Sequence, residues 1–228
     1  MSANRPRLRH RPKALFFDLD NTICDHRTSL QIRLNHAFEP VIPDPEQRAA
    51  AVEASVAMAT DGTDHFPELL GRFKVERPED IEHAIERYGS DRYRGLELFD
   101  DALEVLQAVR DEFTVGMITN GPTDIQQPKI DLLAIEHLFD FTLISESTGY
   151  WKPDPRIFEM ALDLARVPAY LAVYIGDSPD HDVAGAQAAG IPAVWMNRTS
   201  LEWQSERFPD LEVTDLRSFV EHLMELGD

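Results

Sequence analysis

The sequence predicts an α/β fold: a parallel sheet flanked by helices, with an all-helical segment inserted near its start. Three observations carry this. From Leu98 onward, short apolar runs alternate with amphipathic stretches, the pattern of βαβ units joined by right-handed crossovers. Ala14, Leu15, Phe16 and Phe17 form an unbroken apolar run, as expected of a strand buried on both faces, since half-buried strands alternate. Residues 25 to about 95 hold helical periodicities and no convincing strand.

The elements follow in order. Residues 1–13 hold Arg5, Arg7, Arg9, Arg11 and Lys13 with no acid and no apolar stretch, so they read as a solvated, disordered tail rather than a secretory signal. After the strand at 14–17, Leu30, Leu34, Ala37 and Phe38 repeat on one helical face. Asp44-Pro45-Glu46-Gln47 is a helix start with Asp as N-cap, Pro at N1 and Gln closing a capping box. Ala49, Val52, Val56 and Ala59 supply the apolar stripe of that helix, and Phe66, Leu69, Leu70 and Phe73 suggest a short one. Pro78-Glu79-Asp80 opens another helix with acids at its positive end, Ile81, Ala84, Ile85 and Tyr88 face inward, and Gly89 can close it.

Beyond Leu98, a helix over Ala102–Val109 leads to the strand Phe113–Ile118, a helix from Ile125 to Ile135 and the strand Phe141–Ile144. A loop from Ser145 to Lys152, a helix capped by Asp154, the strand Ala172–Ile175, a small-residue helix over 183–190 and the strand Ala193–Met196 follow. Leu216 to Leu226 reads as a closing helix. The domain boundaries are thus a tail at 1–13, an α/β core at 14–24 and 96–228, and a helical insertion at 25–95.

Composition narrows the function. At 43% hydrophobic residues the chain can bury a sizeable core, while 22 bases against 41 acids give a charge of −19. Outside the tail the charge is −24, which argues against nucleic acid or an anionic membrane as partner, and no transmembrane run occurs. The single cysteine, Cys24, excludes an internal disulfide and fits a reducing cytoplasm.

The chemistry gathers where strands should end. Asp18 and Asp20 follow the first strand, and ligands of open α/β sheets bind outside the carboxyl ends of the strands. Alternation along a strand lets both carboxylates reach one point. A helix cap or Asx-turn would need only one acid and leave Asp20 and Thr22 unexplained. Thr119, with the backbone amides of Asn120 and Gly121, can donate to phosphate oxygens. Lys152 adds a positive charge, and Asp177 and Asp182 flank the turn after a later strand. Each alone is also a turn, a solvated loop or a helix-terminal acid, but together they mark one cleft. Four carboxylates there, Asp18, Asp20, Asp177 and Asp182, require a cation, and oxygen-only ligands point to Mg²⁺.

Phe16-Phe-Asp-Leu-Asp-Asn-Thr22 resembles the first motif of the haloacid dehalogenase superfamily, in its phosphatase branch. Thr119, Lys152 in Lys-Pro-Asp-Pro, and Gly-Asp-Ser-x-x-x-Asp at 176–182 match the later motifs in order, so the resemblance spans most of residues 14–198. Tyr150-Trp151 and the Pro179-Asp180-His181 filler depart from the usual pattern. The resemblance implies a Rossmann-like core with a helical cap inserted after the first motif. It implies that Asp18 is the nucleophile, forming an aspartyl phosphate, and that Asp20 is the general acid/base. Thr119, Asn120 and Lys152 would hold phosphate. The Asp18 and Asp177 carboxylates and the Asp20 main-chain carbonyl would bind Mg²⁺, helped by Asp182. As an acid near neutrality Asp20 would need a pKa above the ordinary ~3.9, which anionic neighbours would supply.

The expected activity is hydrolysis of a small phosphate monoester. The stretches Thr119 to Gln127 and Ser145 to Gly149 are similar to phosphatases of nucleotides or acylated sugar phosphates. A phosphomutase uses the same residues. A 2-haloacid dehalogenase needs no metal and no group to protonate a leaving alcohol, so Asp20, Asp177 and Asp182 would be unexplained. A non-catalytic binding module is at odds with the intact acid set. The sequence does not fix the oligomeric state.

Overall fold

The computed structural model describes residues 8, 10–58, 62–205 and 208–226. The chain divides into two compact units, His26–Glu97 and the segments on either side of it. Most of the basic tail, residues 1–7 and 9, lies outside the described residues. Its last part is not a solvated tail: Leu8 is buried, Arg11 donates to Glu112 at 2.6 Å, and the Lys13 N–H donates to Leu171 O at 2.7 Å.

The chain enters through strand β1, Ala14–Phe17, and then forms the helical unit. This comprises α1 (His26–Phe38), α2 (Pro45–Ala57), α3 (Phe66–Arg72) and α4 (Pro78–Ser90). Proline occupies the first turn of α2, α3 and α4, where its missing N–H would have no helical partner anyway. Asp44 caps α2 by accepting the Gln47 N–H at 2.8 Å. The unit has its own core, centred on Phe66, whose ring meets Phe38 at 5.0 Å and Tyr88 at 5.3 Å in edge-to-face contacts.

Two details differ from the sequence reading. The buried face of α2 is Ala51, Val52 and Ser55, and Ala49 is exposed. In an alanine-rich helix several stripes are equally apolar, and the Ser55 hydroxyl meets His65 Nε2 at 2.7 Å. Ala59 lies outside the described residues. Gly89 sits inside α4 instead of closing it.

The other unit continues with α5 (Ala102–Val109), β2 (Thr114–Thr119), α6 (Thr123–Leu133), β3 (Phe141–Ile144), α7 (Ser145–Thr148) and α8 (Pro155–Ala165). Then come β4 (Ala172–Gly176), a π-helical turn at Pro179–Val183, α9 (Ala184–Ala188), β5 (Ala193–Met196), β6 (Leu211–Val213) and α10 (Leu216–Glu225). The six strands form one sheet in the order β3-β2-β1-β4-β5-β6, and every pair is parallel. Helices flank it, giving the Rossmann-like architecture.

β1 is central, and all four of its residues are fully buried. Phe16 packs with Tyr174, Trp195, Ile157 and Phe158 in one cluster, whereas Phe17 meets Phe219 of α10 at 6.5 Å. This is the physical content of the unbroken apolar run. β6 has no counterpart in the sequence reading, because three residues with a central glutamate give no strand pattern. It is held by pairing with β5, by the Asn197 N–H to Val213 O at 2.7 Å and by Asn197 Nδ2 to Glu212 at 2.8 Å. Among the described residues, no helix is long and apolar enough to cross a membrane.

Two stability predictions follow from these contacts. Phe66→Ala is expected to cost about 3–5 kcal/mol. Hydrogen exchange should show this loss in α1 and α4, with amides of the sheet as reference. Asp215 caps α10, and the Ser218 N–H it accepts at 2.8 Å holds its carboxyl below the ordinary range. A depressed folded pKa gives stabilisation that is complete above the unfolded value of ~3.9 and lost as pH falls through the folded one. Asp215→Ala is therefore expected to cost about 1 kcal/mol at neutral pH. The gap in Tm from the wild type should close as the pH is lowered below about 4.

Candidate active site

The parallel register brings the strand ends to one edge. Phe17 lies level with Met117 and Ile175, so Asp18 emerges between β2 and β4, and its N–H donates to Ile175 O at 2.9 Å. Thr119 closes β2, and Asp177 follows directly on β4.

Lys152 is the centre of the site. Its Nζ donates to Asp18 Oδ1 at 2.6 Å, to Asp182 Oδ1 at 2.6 Å and to the Tyr174 hydroxyl at 2.9 Å. All four side chains are buried. One carboxylate oxygen each from Asp18, Asp177 and Asp182 lies within 4.8 Å of the others. The π-helical turn carries Asp182 inward, and Asp182 Oδ2 accepts the Ser178 N–H at 2.9 Å. Gly176 makes room for it: a Cβ there would lie 2.4 Å from Asp182 Cγ.

The electrostatics follow from crowding in a dry pocket. Burial lifts the Asp18 carboxyl well above the ordinary range; Lys152 opposes this, while Asp182, Asp177 and Asp20 add to it. Asp177 is pushed up to about 7, chiefly by burial and the Asp182 charge. Burial also works against the Lys152 charge, but Asp18 and Asp182 more than offset it and hold the ammonium above its ordinary pKa. One ammonium among three carboxylates leaves the cluster short of positive charge. Three oxygen donors at this spacing, with one ammonium to balance them, fit a hard divalent ion.

Asp20 is not part of this cluster. The strand ends at Phe17, so alternation does not carry through to Asp20, and its carboxylate turns to α6. Lys129 Nζ lies 2.9 and 2.8 Å from its two oxygens, and Gln126 Nε2 lies 3.0 Å from Oδ2. A cation thus stands where the sequence reading expected anionic neighbours.

Thr119 is buried and meets Gln126 Nε2 through its hydroxyl at 2.5 Å. The Asn120 side chain grips the backbone of Lys152: Nδ2 donates to its carbonyl at 2.9 Å, and Oδ1 accepts its N–H at 2.8 Å. The Gly121 N–H donates to Ser145 Oγ at 2.9 Å. Of the backbone amides expected to meet phosphate, that of Gly121 is therefore engaged within the protein.

The sequence reading missed Tyr174, Gln126 and Lys129. A tyrosine in an otherwise aliphatic strand, two residues before Gly176, was one available signal. A Gln and a Lys three apart on the helix after Thr119 were the other.

A parallel α/β sheet with a lysine and three acids converging at its strand ends is the site of a hydrolase that handles negative charge. The haloacid dehalogenase-like hydrolase profile matches residues 12–190, and the chain belongs to that family. It is 38% identical over 141 residues to phosphoserine phosphatase of Thermus thermophilus, covering 61% of this chain and 56% of that one. It is 28% identical over 229 residues to glyceraldehyde 3-phosphate phosphatase of Methanopyrus kandleri, covering 94% and 98% of the two chains. The magnesium-bound HAD-hydrolase YfnB of Bacillus subtilis shares the fold, with a TM-score of 0.75 at 24% identity over 93% of this chain and 99% of its own.

Gly176→Ala tests the packing of the cluster. The added methyl must displace Asp182, so turnover of a phosphomonoester reporter is expected to fall about 10²-fold. Far-UV circular dichroism should remain that of the wild type.

Proposed function

We propose that the chain is a Mg²⁺-dependent phosphatase acting on a small phosphate monoester, a nucleotide or sugar phosphate, through an aspartyl-phosphate intermediate. Its enzyme class is phosphoric monoester hydrolase. The observation that carries this is the Lys152 ammonium set between Asp18 and Asp182, with Asp177 beside them. Family membership and two phosphatase relatives support it.

Asp18, Asp177 and Asp182, with the Asp20 main-chain carbonyl, would hold the metal. When bound, Mg²⁺ supplies positive charge toward the phosphoryl oxygens. Asp18 attacks phosphorus, the ester P–O bond breaks, and its electron pair leaves on the alcohol oxygen, which takes a proton from Asp20. Water then attacks the phosphorus of the acyl phosphate and gives a proton to Asp20, releasing inorganic phosphate and restoring the Asp18 carboxylate. Lys152 and Thr119 steady the transferring phosphoryl oxygens. Asn120 acts by fixing the Lys152 backbone.

The helical unit, inserted directly after the Asp18–Thr22 stretch, serves as the cap in this reading. The net charge of −19 gives an anionic substrate no long-range attraction, so it is held locally, and exclusion of water strengthens those few contacts. The substrates are accordingly small and the setting is the cytoplasm.

Asp18→Asn is expected to abolish turnover, and full activity of the purified variant would overturn the mechanism. EDTA should likewise remove activity and Mg²⁺ restore it, as followed by phosphate release. In a comparison of kcat/KM at saturating Mg²⁺, a mononucleotide or hexose phosphate should exceed a phosphopeptide. A phosphopeptide turned over as well as both would count against the cap.

A further inference from the structure

We propose that Lys129, with Gln126, is a positioning residue that fixes the Asp20 carboxylate for proton transfer at the leaving oxygen. The inference rests on the acid/base reading of Asp20. Its basis is a set of contacts that the phosphatase mechanism does not itself use. Lys129 projects from α6, its side chain only 6% exposed, and its Nζ spans both oxygens of Asp20 at 2.9 and 2.8 Å. Gln126, one helical turn earlier on the same face, donates to Asp20 Oδ2 at 3.0 Å and reaches Thr119 Oγ1 at 2.5 Å and Asn120 O at 3.1 Å. Gly121 leaves the space for it, since a Cβ there would lie 2.7 Å from Gln126 Cγ.

Burying an ammonium costs several kcal/mol before its partner compensates. The next residue, Ile130, fills its place in α6 with no such cost. A lysine at 129 is therefore better explained by what it holds than by packing. The carboxylate torsion of an aspartate is broad and soft, and Asp20 lies beyond the end of the strand. An ammonium on both oxygens and an amide on one define its plane. Proton transfer needs the heavy atoms within roughly 2.6–3.2 Å, so a carboxyl group rotated away from the leaving oxygen is a poor proton donor. Gln126 also ties Asp20 to Thr119, so the group that protonates the leaving oxygen and the group that meets the phosphoryl oxygens keep a fixed relation.

The test uses the full-length protein with saturating Mg²⁺ and aryl phosphates of similar shape, running from nitrophenyl through phenyl to methoxyphenyl phosphate. Basic leaving groups need protonation, while nitrophenolate does not. Asp20→Asn is the reference, and its kcat/KM, which reports phosphoenzyme formation and not the common breakdown step, should fall in proportion to leaving-group basicity. Lys129→Met should show the same graded loss in kcat/KM, about 10- to 100-fold for phenyl phosphate and within about threefold for nitrophenyl phosphate. Lys129→Arg, which keeps a charged donor, should return the slope toward the wild type. If Lys129→Met does not fold by circular dichroism, Lys129→Gln replaces it with the same expectation. A graded loss in Asp20→Asn with a uniform loss, or none, in the Lys129 variants would overturn the inference and leave the acid/base reading intact. A uniform loss of kcat/KM in Asp20→Asn would instead remove the acid/base reading, and the inference with it.

Discussion

The Lys152 ammonium is the interaction on which the site depends. It is buried between the Asp18 and Asp182 carboxylates and braced by the Tyr174 hydroxyl. Without it, carboxylates whose nearest oxygens lie within 4.8 Å of one another would face one another in a dry pocket, a strongly unfavourable arrangement. Much of the local structure serves to place this charge. Asn120 clamps the Lys152 backbone from both sides, the π-helical turn brings Asp182 inward, and the missing side chain at Gly176 leaves room for it. The cluster is still short of positive charge, and that shortfall suits it to a hard cation.

A second constraint lies where the inserted segment leaves and rejoins the core. Ile23 O accepts the Phe99 N–H at 3.0 Å, and Cys24 bridges to Leu98 in antiparallel fashion. Arg198, just beyond β5, donates to Thr22 O at 2.8 Å and to both oxygens of Asp101 at 2.9 and 3.2 Å. Asp101 in turn accepts the Leu216 N–H at the start of α10 at 2.6 Å. Exit and return are thus sewn together by groups of the core itself. A 72-residue unit can sit between Asp25 and Leu98 without pulling Asp18 and Asp20 out of place.

The two aspartates after β1 have separate surroundings. Asp18 is enclosed with Lys152 and the other acids, whereas Asp20 is turned to α6 and held by Lys129 and Gln126. Each therefore meets an ammonium of its own, Lys152 for Asp18 and Lys129 for Asp20. Asn120 links the two environments, since its side chain grips the Lys152 backbone and its carbonyl accepts from Gln126 Nε2.

Much of this was legible in the sequence. An apolar run buried on both faces can only be an inner strand of a parallel sheet, and a parallel sheet collects its strand ends at one edge. That reasoning places Asp18, Asp20, Thr119, Lys152, Asp177 and Asp182 at one edge, and the structure gathers Asp18, Lys152, Asp177 and Asp182 there. The family motifs assign them a chemistry. The tertiary structure decided the rest. Where the strand stops determines that Asp20 faces α6, and alternation carries no information beyond the last paired residue, Phe17. The partners of Asp20 and Lys152, namely Lys129, Gln126 and Tyr174, are distant in sequence and were brought to them only by packing of α6 and β4. The direction of the Asn120 side chain, which grips the Lys152 backbone, follows from the approach of the Lys152 loop. β6 has too few residues to carry a pattern and exists only because β5 offers it an edge. Local periodicity fixes what each element is, while the direction of a polar side chain depends on which distant atoms arrive within hydrogen-bond reach.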